Sequence, residues 1–485
     1  MFPESATAVP CCADVPAGGP LLRYALAELL RGLGLAPTWT RRDDARIVME
    51  TGGAQEPESP LPAGDPSLRG RRSQGQSLPR TRSGGEGVLR LAVTPAALGD
   101  LDAPRQPDAG DLGRLDVDGE PWPVPVGPPG AATLGDAVAG AAWWLAGLQE
   151  VAVTERDHHG RFPYDASLQA ALGGAPGGPL RPAVDATRRA LADALRATGL
   201  DVTGRTWGGA PWAVALTHDL DAARTRRLRA GFGSLARGAP IEAARRALGP
   251  DRRRQSVHDL RALGQRHGAD ATWFVKPGAW TPHDVPGSLD EALADTLRQM
   301  RAEVGWHPGY GVHGHPERWD TERDRFEAAF GAPPRLARTH FLRWTEPETP
   351  RALDGRGVRV DSTLGFAEHE GFRRGTALPF RLFDVARGAP SDLWEVPLAV
   401  MDTTLAGYRQ RSGPALADAL DAVFGAARAS GGVAVVLWHN QVGGDTAAWR
   451  TRLDALDHAL GRARAGGAVV GPLGPLLQSW QGPPS

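Results

Sequence analysis

Val214-Ala215-Leu216-Thr217-His218-Asp219-Leu220-Asp221 is the stretch whose reading decides the fold. Three apolar, strand-prone residues run directly into Thr-His-Asp-Leu-Asp. The order predicts a buried strand that delivers two carboxylates and an imidazole at its C-terminal end. In α/β proteins catalytic groups sit at such ends, because the strand fixes the backbone while the following loop turns side chains toward a ligand. Carboxylates at i and i+2 can both reach one cation or water, whereas isolated buried carboxylates are costly. The plainer alternative is that an aspartate here caps the next helix.

Outward from this motif the C-terminal half alternates strand and helix. Strands are expected at 271–275, 303–307, near 336–338 and 358–361, at 393–397, 433–438 and 468–470, with helices at about 288–301, 316–330 and 446–464. Seven or eight strands alternating with helices over about 275 residues point to a deformed parallel (β/α)7-8 barrel, with an open doubly wound sheet as the alternative. Asp219, Asp221, His307, Arg338 with His340, Asp361, Glu395 and His439 all fall at or just after expected strand ends, which converge on one mouth in a barrel. Ten of the 13 histidines lie between 218 and 439, the distribution of a candidate metal domain.

The first 204 residues read as a smaller α/β domain, with a helix at about 20–33, strands at 46–50 and 88–93, and helices at about 134–149 and 182–200. Residues 52–87 are rich in Gly, Pro, Ser and Arg without periodicity and are expected to be a flexible insertion. Residues 98–130 are again dominated by Gly, Pro and Asp. The main boundary is expected near 205, with the barrel running to about 480. At 485 residues and a net charge of −1, the chain has room for two cores and no charge bias toward nucleic acid or a membrane surface. Lys276 is the only lysine, a bias that looks genomic. Two adjacent cysteines, Cys11 and Cys12, make no disulfide framework. The opening residues lack a basic, apolar leader, and no run approaches 18 apolar residues, so a cytoplasmic protein is expected.

Several motifs carry a family resemblance. Thr217-His-Asp-Leu-Asp221 resembles the first motif of NodB-type polysaccharide deacetylases, usually Thr-Phe-Asp-Asp-Gly. Ala271-Thr-Trp-Phe-Val275 looks like that family's second strand, and Glu303-Val-Gly-Trp-His307 like the opening of its second motif. Arg338 falls where the third motif's arginine belongs, and Val436-Leu-Trp-His439 resembles the final Leu-x-His. Arg156-Asp-His-His-Gly-Arg-Phe162, Asp361-Ser-Thr-Leu-Gly-Phe366, Gly371-Phe-Arg373 and Trp394 to Asp402 look like a bacterial subgroup with its own N-terminal domain. Matches in this order are more specific than any single Asp-x-Asp.

The resemblance implies metal-assisted hydrolysis of an N-acetyl group on a carbohydrate. It implies Asp219 as general base oriented by Arg338, Asp221 and His307 as ligands of a divalent metal, zinc first, and His439 as general acid. Two departures stand out. The second histidine of the second motif is replaced by Gly311, leaving His313 or His315 to supply a third ligand or merely to cap the next helix; His313 is the expected ligand. The first motif is also spaced Asp-Leu-Asp. Tyr310, His340, Arg343, Trp344 and Glu395 are expected to bind substrate. Trp280 and Trp306 join Tyr310 and Trp344 as candidates for sugar stacking, whereas Trp273 and Trp438 read as core. The arginines of 223–255 suit either a lid for an anionic glycan or a solvated helix pair. A metal-free carbohydrate-binding protein and a hydrolase of some other amide are the alternatives. Oligomeric state has no signature.

Overall fold

The computed structural model describes residues 7–14, 19–41, 44–51, 88–222, 251–284, 289–440 and 447–481. The expected insertion at 52–87 and residues 223–250 of the arginine-rich segment lie outside the described residues. No helix among the described residues is long and apolar enough to cross a membrane.

The chain divides into two units, one of residues 6–143 with 186–203, the other of 144–185 with 204–485. In the first, β1 (Thr7–Asp14), β2 (Leu35–Trp39), β3 (Ile47–Thr51) and β4 (Leu89–Val93) form a parallel sheet in the order β2-β1-β3-β4. Helix Gly19–Gly32 connects β1 to β2 and buries Leu22, Leu26, Leu29 and Leu30, as their helical spacing predicts. Within 98–130 the structure adds β5 (Gly113–Val117), β6 (Glu120–Val124) and β7 (Gly130–Ala131). The turn between β5 and β6 is Asp118-Gly119, both at positive φ (57° and 80°). That is the Asp-Gly signature of a two-residue hairpin, visible in the sequence but masked there by surrounding prolines.

The second unit holds a ten-stranded sheet. Its strands are β8 (Trp212–Leu220), β9 (Thr272–Val275), β10 (Glu303–Trp306), β11 (Leu336–Ala337), β12 (Val360–Asp361), β13 (Phe380–Asp384), β14 (Ala389–Glu395), β15 (Leu398–Met401), β16 (Val433–Leu437) and β17 (Ala468–Gly471). The order is β13-β14-β12-β11-β10-β9-β8-β16-β15, with β17 also on β8, and every pair is parallel except the β13–β14 hairpin. That hairpin strand was not expected from the sequence.

β14 pairs with β12 and β15 with β16, yet only Val396 and Pro397 separate them. A single run, 389–401, therefore leaves one margin of the sheet and joins the other, and the sheet is curled. Proline has no N–H for a ladder, which suits Pro397 to the switch.

All nine residues of β8 are buried, the mark of a strand covered on both faces. Its alternation separates two cores. Trp212, Val214, Leu216 and Leu220 pack with residues of helices 252–266, 291–299, 414–430 and 447–465, among them Leu260, Leu297, Leu420 and Leu456. Ala213 and Ala215 face Leu398, Val435, Leu437 and the helix Leu473–Gln481.

The expected boundary near 205 marks the chain's last passage between units, but residues 144–185 already belong with the sheet just described. Buried charges bind them there. Arg373 donates from Nε and Nη2 to the two carboxylate oxygens of Glu150 at 2.9 and 2.5 Å. Arg374 donates to Glu346 at 3.1 Å. Gly147 has φ 69°, and a Cβ on it would lie 1.3 Å from Arg374 Nη1, so the guanidinium occupies the space that only glycine leaves. Asp185 accepts from Thr376 Oγ1 and the Ala377 amide. Although burial opposes its charge, the two arginines hold Glu150 below the usual carboxylate range. Replacing one partner of such a pair strands the other. Arg373→Met is expected to cost about 3–5 kcal/mol of unfolding free energy in urea titrations, and a cost below about 1 kcal/mol would refute this role.

Candidate metal centre

The period of a strand places Thr217, Asp219 and Asp221 toward one side and His218 toward the other. His218 accordingly leaves its neighbours. Its Nδ1 donates to Trp438 O at 3.0 Å, its ring packs 4.5 Å from that of Trp273, and burial pushes it down to about 4, so it is a neutral core histidine. The motif therefore delivers two carboxylates and no imidazole.

The imidazoles come from strands further along the sheet, β10 and β11. His307 follows β10, and its Nδ1 lies 2.6 Å from the carbonyl of Arg338. A carbonyl only accepts, so Nδ1 carries the proton and, in the neutral ring, Nε2 presents a lone pair. That atom is buried without a hydrogen-bond partner, 3.3 Å from Asp221 Oδ1 and 3.7 Å from Asp219 Oδ2. His340 Nε2 lies 3.3 Å from the same Asp221 oxygen. Asp221, His307 and His340 form the group among the described residues that offers three ligand atoms within 4.8 Å of one another. Two ligands about 2.1 Å from one zinc ion at tetrahedral or right angles are about 3.0–3.4 Å apart, so the spacing fits a single cation. Burial opposes the charge of Asp221, yet His340 holds it well below the carboxylate range.

The expected third ligand, His313, is placed elsewhere. It is half-buried, its ring lies 5.5 Å from that of Trp319, and burial pushes it down to about 3. His315 stands at the N-cap of helix Pro316–Phe330 without a capping bond and pairs with Glu317 at 3.3 Å. Nor is there room for a histidine at 311. A Cβ on Gly311 would lie 2.6 Å from Trp280 Cβ and 2.8 Å from Thr281 Cγ2. His340, expected to touch substrate, is the imidazole that instead joins Asp221 and His307.

Two left-handed non-glycine residues, Phe341 (φ 63°) and Leu342 (φ 55°), follow His340 directly. Such backbone costs about 1–3 kcal/mol per residue and persists only where neighbours over-determine it. Here the His340 amide donates to Pro308 O at 2.9 Å, Thr339 Oγ1 to Arg343 O at 2.6 Å and Arg161 Nη1 to Phe341 O at 3.3 Å. The second of these bonds closes the turn across the strained pair.

Two carboxylates that sequence reasoning passed over complete the centre. Asp284 Oδ1 lies 3.3 Å from His340 Nδ1 and accepts the Tyr310 amide at 2.7 Å. Asp402 Oδ1 lies 2.6 Å from His439 Nδ1. Asp402 stands in the Trp394–Asp402 motif, which was a usable signal; Asp284 lies in a Gly/Pro loop and gave none. On the other flank, Arg338 Nη1 donates to Asp219 Oδ1 at 3.0 Å and Thr217 Oγ1 at 2.8 Å.

The remaining expected residues divide. Tyr310 is half-buried at a rim with His159, whose Nδ1 is 3.3 Å from the Tyr310 hydroxyl, and with Arg343, whose guanidinium lies 4.3 Å from the Tyr310 ring centre. Trp344 and Trp306 are buried, and Glu395 is fully buried, so none of them offers a surface to a ligand. Glu395 pairs in register with Asp361 across β12 and β14, and burial raises both. Of the expected stacking rings, Tyr310 and Trp280 keep exposed area, and the guanidinium groups of Arg318 and Arg325 lie 5.5 and 5.4 Å from the Trp280 ring centre.

No protein-family model matches the chain, and no match is found among curated proteins. Solved structures do match. A Mycobacterium smegmatis protein assigned as a polysaccharide deacetylase is 20% identical over 54% of this chain and 88% of its own, with a TM-score of 0.38. A family 4 carbohydrate esterase of Streptomyces lividans, in complex with acetate, is 12% identical over 55% and 95%, with a TM-score of 0.29. A family 4 pseudoenzyme of Bacillus anthracis is 14% identical over 57% and 68%, with a TM-score of 0.30. The structural neighbours are NodB-type (family 4) polysaccharide deacetylases and their pseudoenzyme relatives. At such identities activity is decided by the residues of the site.

Burial opposes a charge on His439, but Asp402 outweighs it and pushes the imidazole up to about 9. A pKa raised in the folded state stabilises the protein fully below the ordinary value of 6.5 and loses that contribution as pH rises through about 9. In metal-free protein, the stability gap between wild type and His439→Gln should therefore shrink from pH 6.5 to pH 9.5 in denaturant titrations. A gap that stays constant or widens would contradict the assignment.

Proposed function

We propose that this protein is a metal-dependent hydrolase that removes N-acetyl groups from a carbohydrate, on a deformed (β/α) barrel formed by the curled sheet. The observation that carries the reading is the convergence of His307 Nε2, a buried lone pair without a hydrogen-bond partner, on the carboxylates of Asp221 and Asp219. Acceptors facing one another in a buried site are stable only around a proton or a cation. Asp221, His307 and His340 would hold a divalent ion, zinc first for mixed imidazole and carboxylate ligation. When bound, such an ion supplies Lewis acidity, polarising an amide carbonyl and acidifying water.

The chain's own residues divide the proton work. Asp219 is the base that takes the proton from the attacking water, and Arg338 aims its carboxylate. His439, held protonated by Asp402, gives its proton to the departing amine nitrogen, so the amine leaves neutral as the C–N bond breaks. The order of the five NodB-type motifs supports an N-acetylated sugar as the substrate class. The half-exposed Tyr310, with Arg343 and His159 beside it, supports a rim that holds a sugar ring.

The test is acetate release from N-acetylated oligosaccharides. Wild type should release acetate, lose the activity to a chelator and regain it with Zn²⁺ or Co²⁺. Asp219→Asn should cut kcat by about 10²–10⁴-fold, whereas His313→Ala should stay within a few-fold of wild type. Undiminished activity in chelator, or in His340→Ala, would sink the mechanism.

A further inference from the structure

Lys276 is the one lysine among the 55 Lys and Arg residues of the chain. In a sequence that uses arginine for every other such charge, this position holds the compact ammonium in place of the broad, planar guanidinium. Its surroundings give the choice physical content. Lys276 directly follows β9, the strand hydrogen-bonded to β8, and is 0% exposed. Its Nζ has no hydrogen-bond partner among the described residues, and Asp284 Oδ1 lies 3.8 Å away. Asp221, Asp284 and Glu322 are the anions that act on it and Arg253 is a nearby cation. A buried ammonium without a full hydrogen-bond shell is destabilising on its own account, which singles it out as a group kept for what it does to its neighbours.

The neighbour it meets is the hub of the His340 side of the centre. Asp284 Oδ1 accepts the Tyr310 amide and lies 3.3 Å from His340 Nδ1. Its Oδ2 accepts the Trp280 amide at 3.2 Å, Thr281 Oγ1 at 3.2 Å and the Gly311 amide at 3.3 Å. Asp284 thus gathers the loop after β9, the loop after β10 and the His340 ring on one carboxylate. A carboxylate on the far nitrogen of a ligating histidine sets the tautomer and the aim of the near one.

We propose that Lys276 is a positioning residue whose ammonium anchors Asp284, and through it aims His340 Nε2 at the cation shared with Asp221 and His307. The inference rests on the cation-binding reading above and adds a residue that touches neither cation nor substrate. The sign of its effect is diagnostic. Removing a positive charge beside a cation site would by itself tighten binding, whereas loss of positioning weakens it.

The experiment is the Zn²⁺ affinity of the full chain, measured by competition with a chromophoric chelator, with far-UV circular dichroism and thermal melting as checks on folding. Lys276→Met and Lys276→Gln should each bind Zn²⁺ about 10- to 100-fold more weakly than wild type. Lys276→Arg, which keeps the charge, gives a third variant should the neutral ones fail to fold, and it too should bind more weakly. In an Asp284→Asn background the effect of Lys276→Met should largely vanish, because the two act in series. Unchanged or tighter Zn²⁺ binding by the folded Lys276 variants, alongside weakened binding by His340→Ala, overturns this inference and leaves the cation site standing. An undiminished Lys276→Met effect in the Asp284→Asn background also overturns it. Wild-type affinity in His340→Ala overturns the inference together with the ligand set on which it rests.

Discussion

A single buried guanidinium, that of Arg338, holds the centre together. Its Nε donates to Ser362 O and its Nη2 to Ser362 Oγ, at 2.8 and 3.0 Å, while Nη1 reaches Thr217 and Asp219. Its own carbonyl fixes the tautomer of His307, and its guanidinium lies 4.4 Å from the ring centre of Phe274. The side chain ties residues of, or next to, β8, β9 and β12, and the carbonyl of the same residue adds His307 beside β10. In the sheet order β11 and β8 are three spacings apart, about 14 Å if the sheet were flat, beyond an arginine's reach. The contact exists because the sheet curls, and the curl follows from the run 389–401 that joins its two margins. Fold and site are one construction here: the strand switch at Pro397 brings the strand ends together, and Arg338 turns that convergence into an aimed carboxylate.

This division explains what could be read from the sequence. Strand periodicity placed Asp219 and Asp221 on one side, and apolar runs ending in polar residues located His307, Arg338, Asp361, Glu395 and His439. What a one-dimensional pattern lacks is the face on which each of these residues points. His218 sits inside the motif yet belongs to the helix-side core, and Glu395 ends a strand yet is sealed within the sheet. Trp306 and Trp344 illustrate the same limit, since their buried N–H groups satisfy Glu322 and Glu346.

The third ligand was missed for a steric reason. A family motif directs attention to the loop after His307, and His313 is the nearest histidine there. The loop cannot serve, because Gly311 lies against Trp280 and Thr281 with no space for a side chain. The site instead draws His340 from the next strand, held by a strained turn and by Asp284. Residues 144–185 contribute as well. Arg161, ion-paired to Asp157, donates to the backbone of that turn, and the His159 carbonyl accepts from Arg343 Nε at 2.9 Å. The histidine pair read as a pinned loop is thus part of the rim of the centre.

The central claim is that one cation is held by Asp221, His307 and His340. Its most direct measurement is a crystal structure of the zinc-loaded protein with anomalous data collected on both sides of the zinc absorption edge. The account predicts one anomalous peak within about 2.0–2.2 Å of His307 Nε2, His340 Nε2 and a carboxylate oxygen of Asp221, with His313 remote from it. A peak ligated by His313 in place of His340, or no peak at this position, would contradict it.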